Sequence, residues 1–144
     1  MKKILILLCL PMIGLGQVII PDANFKAYLV GNTAINTNGD SEIQVSEANS
    51  FGGTINCFNM NISDLTGIED FTALTDLNCA DNQLTTLDVS GNTALTELTC
   101  WSNQLTSLDV SGATALTDLD CGDYMGGNML TTLDVSNNAA LTSL

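Results

Sequence analysis

At 144 residues the chain has room for one domain, or one repeat array with a cap. Three Lys+Arg stand against 16 Asp+Glu, a net charge of −13, and histidine is absent. Nucleic acid and anionic membrane surfaces, which are held by clustered cations, are excluded as partners, and the commonest general base and metal-binding side chain is missing.

Residues 1–16, MKKILILLCLPMIGLG, place two lysines before the apolar run Ile4–Leu10, with small residues at Gly14 and Gly16. This is the pattern of a secretory signal peptide with cleavage before Gln17, so the mature chain is expected to be secreted or at the cell surface. The apolar run is far short of the ~20 residues that span a bilayer, and no membrane insertion of the mature chain is expected. Lys2 and Lys3 would leave with the leader, setting Lys26 alone against all 16 acids.

Residues 17–51 read as a helical cap. Pro21 and the N-capping Asp22 open a helix over Ala23–Val30, with Phe25 and Leu29 on one face and Gly31 as the stop. The twelve residues Asn36–Glu47, NTNGDSEIQVSE, then resemble an EF-hand calcium loop. The resemblance implies oxygen ligands from Asn36, Asn38, Asp40, the Glu42 carbonyl, Gln44 and Glu47, with Ile43 as the loop hydrophobe. Asn36 stands in place of the usual first Asp and Ser41 in place of the turn glycine. Two readings follow: a weak Ca2+ site with only Asp40 and Glu47 as charged side-chain ligands, or a metal-free cap of the same shape.

From residue 52 the chain repeats itself. Residues 52–73 are a degenerate first copy, 74–94 and 95–115 are clean copies, 116–140 is a copy with the insertion Tyr124–Gly127, and 141–144 begins another. The starts at Leu74, Leu95 and Leu116 are 21 residues apart, a period that marks a stacked solenoid. Leu-x-x-Leu-x-Cys-x-x-Asn-x-Leu fits Leu74, Leu77, Cys79, Asn82 and Leu84, and again Leu95, Leu98, Cys100, Asn103 and Leu105. Alternation predicts one short strand per repeat in a parallel sheet, with Leu77 and Cys79 facing in and Asp76, Asn78 and Ala80 facing out. Asn82, Asn103 and Asn128 are expected to satisfy turn backbone groups between repeats, and Asp88, Asp109 and Asp134 to cap turns.

The helix PDANFKAYL, the loop, the entry DLTGIEDFTALTDL and the LxxLxCxxNxL repeats together cover almost the whole mature chain. They resemble the secreted, internalin-like leucine-rich-repeat proteins of bacteria, and most of all the cysteine-bearing repeats of Bacteroidota. The resemblance implies an α/β leucine-rich-repeat solenoid with an EF-hand-like N-terminal cap, exported, binding protein or glycan at a cell surface.

Cys57, Cys79, Cys100 and Cys121 share one column. Neighbouring strands hold equivalent side chains about 4.8 Å apart on parallel vectors, whereas a disulfide draws Cβ atoms to about 3.8 Å, so free packed thiols are expected. The outward columns carry the candidate binding residues: Phe58, Asp76, Asn78, Glu97, Thr99, Trp101, Asp118 and Asp120. Stacked acids favour a cationic partner, and Trp101, the chain's sole tryptophan, is expected to stand exposed among them as a protein or glycan contact. No catalytic constellation is present: carboxylates in a row on an open strand face do not flank a cleft. The competing reading is a calcium-stabilised structural spacer, or a fragment of a larger surface protein, because Leu141–Leu144 starts a strand with no polar cap beyond it.

Overall fold

The computed structural model describes residues 16–122 and 127–144. The leader up to residue 15 and most of the third-copy insertion lie outside the described residues.

The predicted array is present. Four strands, β1 (Thr54–Asn56), β2 (Asp76–Asn78), β4 (Glu97–Thr99) and β6 (Asp118–Asp120), form a parallel sheet in the order β1-β2-β4-β6. Its register sets Thr54, Asp76, Glu97 and Asp118 in one column, and Asn56, Asn78, Thr99 and Asp120 in the next. A second pair, β3 (Thr86–Asp88) with β5 (Ser107–Asp109), is also parallel and lies on the return path. Each strand is three residues long with only its central Ile or Leu buried.

Between the two sheets the repeats fill one continuous core. Leu74, Leu77, Cys79, Leu84, Leu87 and Val89 are buried, as are their counterparts Leu95, Leu98, Cys100, Leu105, Leu108 and Val110. A fully buried leucine stabilises by about 1.5–3 kcal/mol, but only if the next repeat closes over it. That closure needs backbones to approach closely. A Cβ on Gly112 would lie 1.8 Å from the Ser90 carbonyl oxygen, so at this turn only glycine lets one repeat settle on the last.

Polar ladders lock the repeats together. Asn103 is buried; its Nδ2 donates to the carbonyls of Cys79, Cys100 and Trp101, and its Oδ1 accepts from Leu84 N. Asn82 does the same one repeat earlier, and Asn128 one repeat later. A second ladder runs through hydroxyls: Thr96, Thr117 and Thr142 each donate Oγ1 to the carbonyl of the preceding threonine at 3.0, 3.0 and 3.1 Å. The last of these, with Leu119 N donating to Ser143 O at 3.1 Å, pins Thr142 and Ser143 alongside β6.

The cap closes the other end of the core. Helix α1 (Ala23–Gly31) buries Phe25 and Leu29, as its periodicity predicts, and α2 (Val45–Ser50) follows the loop. Asp22 both caps α1 and holds the cap to the first repeat. Its Oδ1 accepts from Asn24 N and Phe25 N, and its Oδ2 from Ser63 N and Oγ. Gly67, at φ +101°, passes under the N-terminal segment where a Cβ would meet Ile19 O at 2.8 Å.

Two orientations differ from the alternation pattern. Ala80, expected to face outward, is fully buried, and Trp101 is half-buried instead of exposed. Both have one cause. Phe58, Ala80 and Trp101 form the third column, and the two rings, one repeat to either side of the alanine, lean together with centroids 5.7 Å apart.

Candidate interaction face

The outer face of the four-stranded sheet gathers the eight residues named from sequence. Asp76, Glu97 and Asp118 form the first column, and Asn78, Thr99 and Asp120 the second. Phe58 and Trp101 bracket the third. Backbone bonds from Asn59 N to Ala80 O and from Asp81 N to Trp101 O carry the pairing past the strand ends, so this column is in register too. Immediately after it the chain turns through left-handed residues, Asn59, Asp81 and Ser102, at φ 51–55°; Asn and Asp tolerate that region best. The third column is therefore the rim of the sheet.

The eight residues do different work. Asn78 Oδ1 accepts from Ala80 N at 3.2 Å, and Asp120 Oδ1 from Gly122 N at 3.3 Å. These are turn-forming contacts that hold the rim residue two positions on. Asp76 Oδ2 accepts from Thr75 Oγ1 and Thr54 Oγ1, and Asp118 Oδ2 from Thr117 Oγ1. The Glu97 carboxylate makes no hydrogen bond or ion pair among the described residues; its backbone N–H donates to Thr75 O. Carboxylates one strand apart repel by about 1 kcal/mol or less in water, and nothing cationic offsets it here. The sole cation of the described residues, Lys26, is taken by Glu42 through both carboxylate oxygens at 2.7 and 2.8 Å.

A shallow depression of about 270 Å³ runs over this face, lined by Thr54, Asn56, Asp76, Leu77, Asn78, Glu97 and Thr99. A second, of about 260 Å³, lies by the return path between Asp64, Glu69 and Asp88. There the carboxylates are spent on turns: Asp64 accepts from Thr66 N, Glu69 from Gly67 N, and Asp88 from Ser90 N. Asp109 and Asp134 repeat the Asp88 contact, as turn capping predicts.

One rim residue went unread in the sequence. Met60 is 37% exposed beside Phe58 at 42%. It stands where later repeats carry Asn82, Asn103 and Asn128, at a position with no earlier repeat for an amide to bridge. In a degenerate copy only the alignment of Cys57 with Cys79 would have shown this.

The cap loop is arranged differently from a calcium shell. Glu47 is buried, and its Oε1 accepts from Thr37 N, Thr37 Oγ1 and Asn38 N, its Oε2 from Gln44 N. Asn36 is buried too; its Nδ2 donates to the Val30 and Asp40 carbonyls, and its Oδ1 accepts from Gly39 N. Asp40 accepts from Glu42 N, Asn38 Nδ2 and Gln44 Nε2. Hard cations need oxygens converging on a point. Here the same oxygens accept from N–H groups of the loop itself, which is the arrangement of the metal-free reading.

Against known proteins, no protein-family profile matches the chain. Half of the chain, 73 residues, is 45% identical to internalin J of Listeria monocytogenes serotype 4b, over 8% of that protein's length. The solved functional domain of InlJ from Listeria monocytogenes, described as including a cysteine ladder, superposes with TM-score 0.72 at 44% identity, covering 86% of this chain and 26% of that one. The internalin InlF of the same species superposes with TM-score 0.58 at 22% identity over 92% of this chain and 46% of that one, a likeness of fold alone. The chain thus spans less than half of the length of each of these relatives. Within that span it is internalin-like in sequence, and its fold is an internalin-type leucine-rich-repeat solenoid.

Proposed function

We propose that the chain is an exported binding module that recognises a protein or glycan partner at a cell surface through the outer face of its four-stranded sheet. The leader pattern supports export, and the cysteine-bearing repeats support a likeness to the Bacteroidota-type proteins of this class. Among the described residues no helix is long and apolar enough to cross a membrane. The observation that carries the reading is a contrast between two surfaces. On the return path the carboxylates close turns, whereas on the sheet the Glu97 carboxylate is uncommitted beside a rim of exposed Phe58 and half-buried Trp101. Aromatic anchors ringed by polar residues are the usual composition of binding hot spots. An enzyme would need a water-excluding cleft, whereas among the described residues the carboxylates of the sheet stand in a row on an open face.

The test is a screen of the mature chain on glycan and protein arrays, with each hit remeasured against Trp101→Phe and Glu97→Gln. Loss of tenfold or more in affinity with an unchanged unfolding midpoint supports the sheet face. Hits that bind both variants as tightly as the parent refute it.

A further inference from the structure

We infer that this face takes a basic, arginine-bearing protein segment in extended conformation, lying along the stack of repeats over the Asn56–Asn78–Thr99–Asp120 column. The inference rests on the reading that the sheet face is the binding surface, and it names the chemistry of the occupant.

Three observations carry it. The first is charge. Asp76, Glu97 and Asp118 stand in one column with no cation on the face, and the one cation of the described residues is bound elsewhere by Glu42. The second is the rim. Phe58 and Trp101 meet at 5.7 Å with an interplanar angle of 56°, leaving Phe58 42% exposed, so a π surface is presented to an approaching group. A guanidinium is planar and weakly hydrated, and it stacks on such rings while keeping donors for carboxylates. The third is spacing. Acid column and ring column are four residues apart along the strands, roughly 13 Å at ~3.3 Å per residue, with the second column midway. A segment lying over that midline sends successive side chains to opposite sides, one toward the acids and the next toward the rings. Like-facing side chains then recur every ~7 Å, so two of them fit within the ~10 Å that separates Asp76 from Asp118. A neutral glycan would stack on the rings and donate hydroxyls to the acids, but would leave the negative charge of the column unbalanced.

Trp101 reports on its own site, since the chain has no other tryptophan. The experiment titrates the mature chain with a nonapeptide of nine arginines, which presents guanidinium to both sides, and with its all-Gln and all-Glu counterparts, following Trp101 emission. The Arg peptide is expected to shift the emission saturably, while the Gln and Glu peptides do not. Affinity should fall at least tenfold in the Glu97→Gln/Asp118→Asn variant, and again when salt rises from 50 to 200 mM, as surface charge pairing requires. These acids are exposed, so the variant should keep the parental unfolding midpoint. If the Arg peptide binds that variant undiminished, or leaves Trp101 emission unchanged while a neutral glycan or apolar peptide shifts it, the basic-segment inference is overturned and the sheet-face reading stands. If an array hit binds tightly without perturbing Trp101 and is insensitive to both substitutions, the sheet-face reading falls with it.

Discussion

Phe58 and Trp101 are 43 residues apart in sequence, yet their rings meet at 5.7 Å across Ala80, which they leave fully buried. The contact spans two strand spacings, and it exists because the residue between is the smallest that keeps a Cβ. Aromatic pairs of this kind contribute about 0.5–1.5 kcal/mol beyond the area they bury. A double-mutant cycle of Phe58→Ala and Trp101→Ala in urea unfolding should return a coupling energy in that range. Ala80→Leu should part the rings and cost about 1–3 kcal/mol by overpacking, with a red shift of Trp101 emission. Additive single mutants would show that the rings merely lie near each other.

The asparagine ladders divide into a complete one and a broken one. Asn103→Ala removes a buried amide that serves three carbonyls and Leu84 N, and should destabilise by about 2–4 kcal/mol because those groups have no water to turn to. On the return path Asn92 donates to the Ile68 and Phe71 carbonyls and Asn138 to those of Val110 and Ala113, but Ala113 fills the equivalent place between them. Both Asn92 Oδ1 and Asn138 Oδ1 are buried without a hydrogen-bond partner among the described residues. Ala113→Asn should complete the column and raise stability by about 1 kcal/mol, the net worth of a buried hydrogen bond. Thermal unfolding of the two variants measures both signs.

What could be read in advance follows from what a repeat constrains. Leu77, Cys79 and Asn82 recur at fixed offsets, so their columns and their inward direction were plain from the sequence. Ala80 was not, because alternation describes one strand and its burial is set by residues 22 and 21 positions away on neighbouring strands. The threonine ladder escaped for the opposite reason: Thr75, Thr96 and Thr117 look like solvated surface until the preceding carbonyl is seen beside each hydroxyl. Leu141–Leu144 read as the start of a strand, and Thr142 and Ser143 make the same backbone contacts to Thr117 that Thr117 and Asp118 make to Thr96. In the cap, spacing alone suggested ligands; only hydrogen-bond directions reveal that Glu47 is already occupied.

The cysteine column should behave as four free thiols. Burial pushes Cys57 up to about 12 and raises Cys79 and Cys100 as well, with neighbouring cysteines adding to the effect at both. Cys121, at the end of the column, is only half-buried, and burial followed by Asp120 raises it too. The thiolate is the reactive form, so native protein at pH 8 should be alkylated slowly and at Cys121 first. Denatured mature chain should give four thiols by colorimetric titration. Two or fewer would mean that disulfides form despite the strand geometry.

The cap's stability should depend on protons and not on calcium. Burial raises Glu47, but bonds from Gln44 N, Asn38 N and the Thr37 hydroxyl and N–H outweigh it and hold the carboxylate below its ordinary range. Asp22 follows the same pattern: burial raises it, and bonds from Ser63, Phe25 and Asn24 bring it lower overall. With folded values below the unfolded ones, the stabilisation is complete above about pH 4, the unfolded carboxylate range, and is lost as the pH falls through the folded values. Acid unfolding should therefore begin at the cap below pH 4, seen as early hydrogen exchange in Phe25–Leu29. Glu47→Gln should weaken the cap by about 2 kcal/mol, since it gives up charge-assisted bonds, and should flatten this acid limb. Calcium at millimolar concentration should give no heat by titration calorimetry in the parent or in Glu47→Gln, and no change in unfolding midpoint on chelation. A calcium heat in the parent that Glu47→Gln abolishes would show that the loop opens to bind metal, and that the four N–H and O–H contacts to Glu47 yield to the ion.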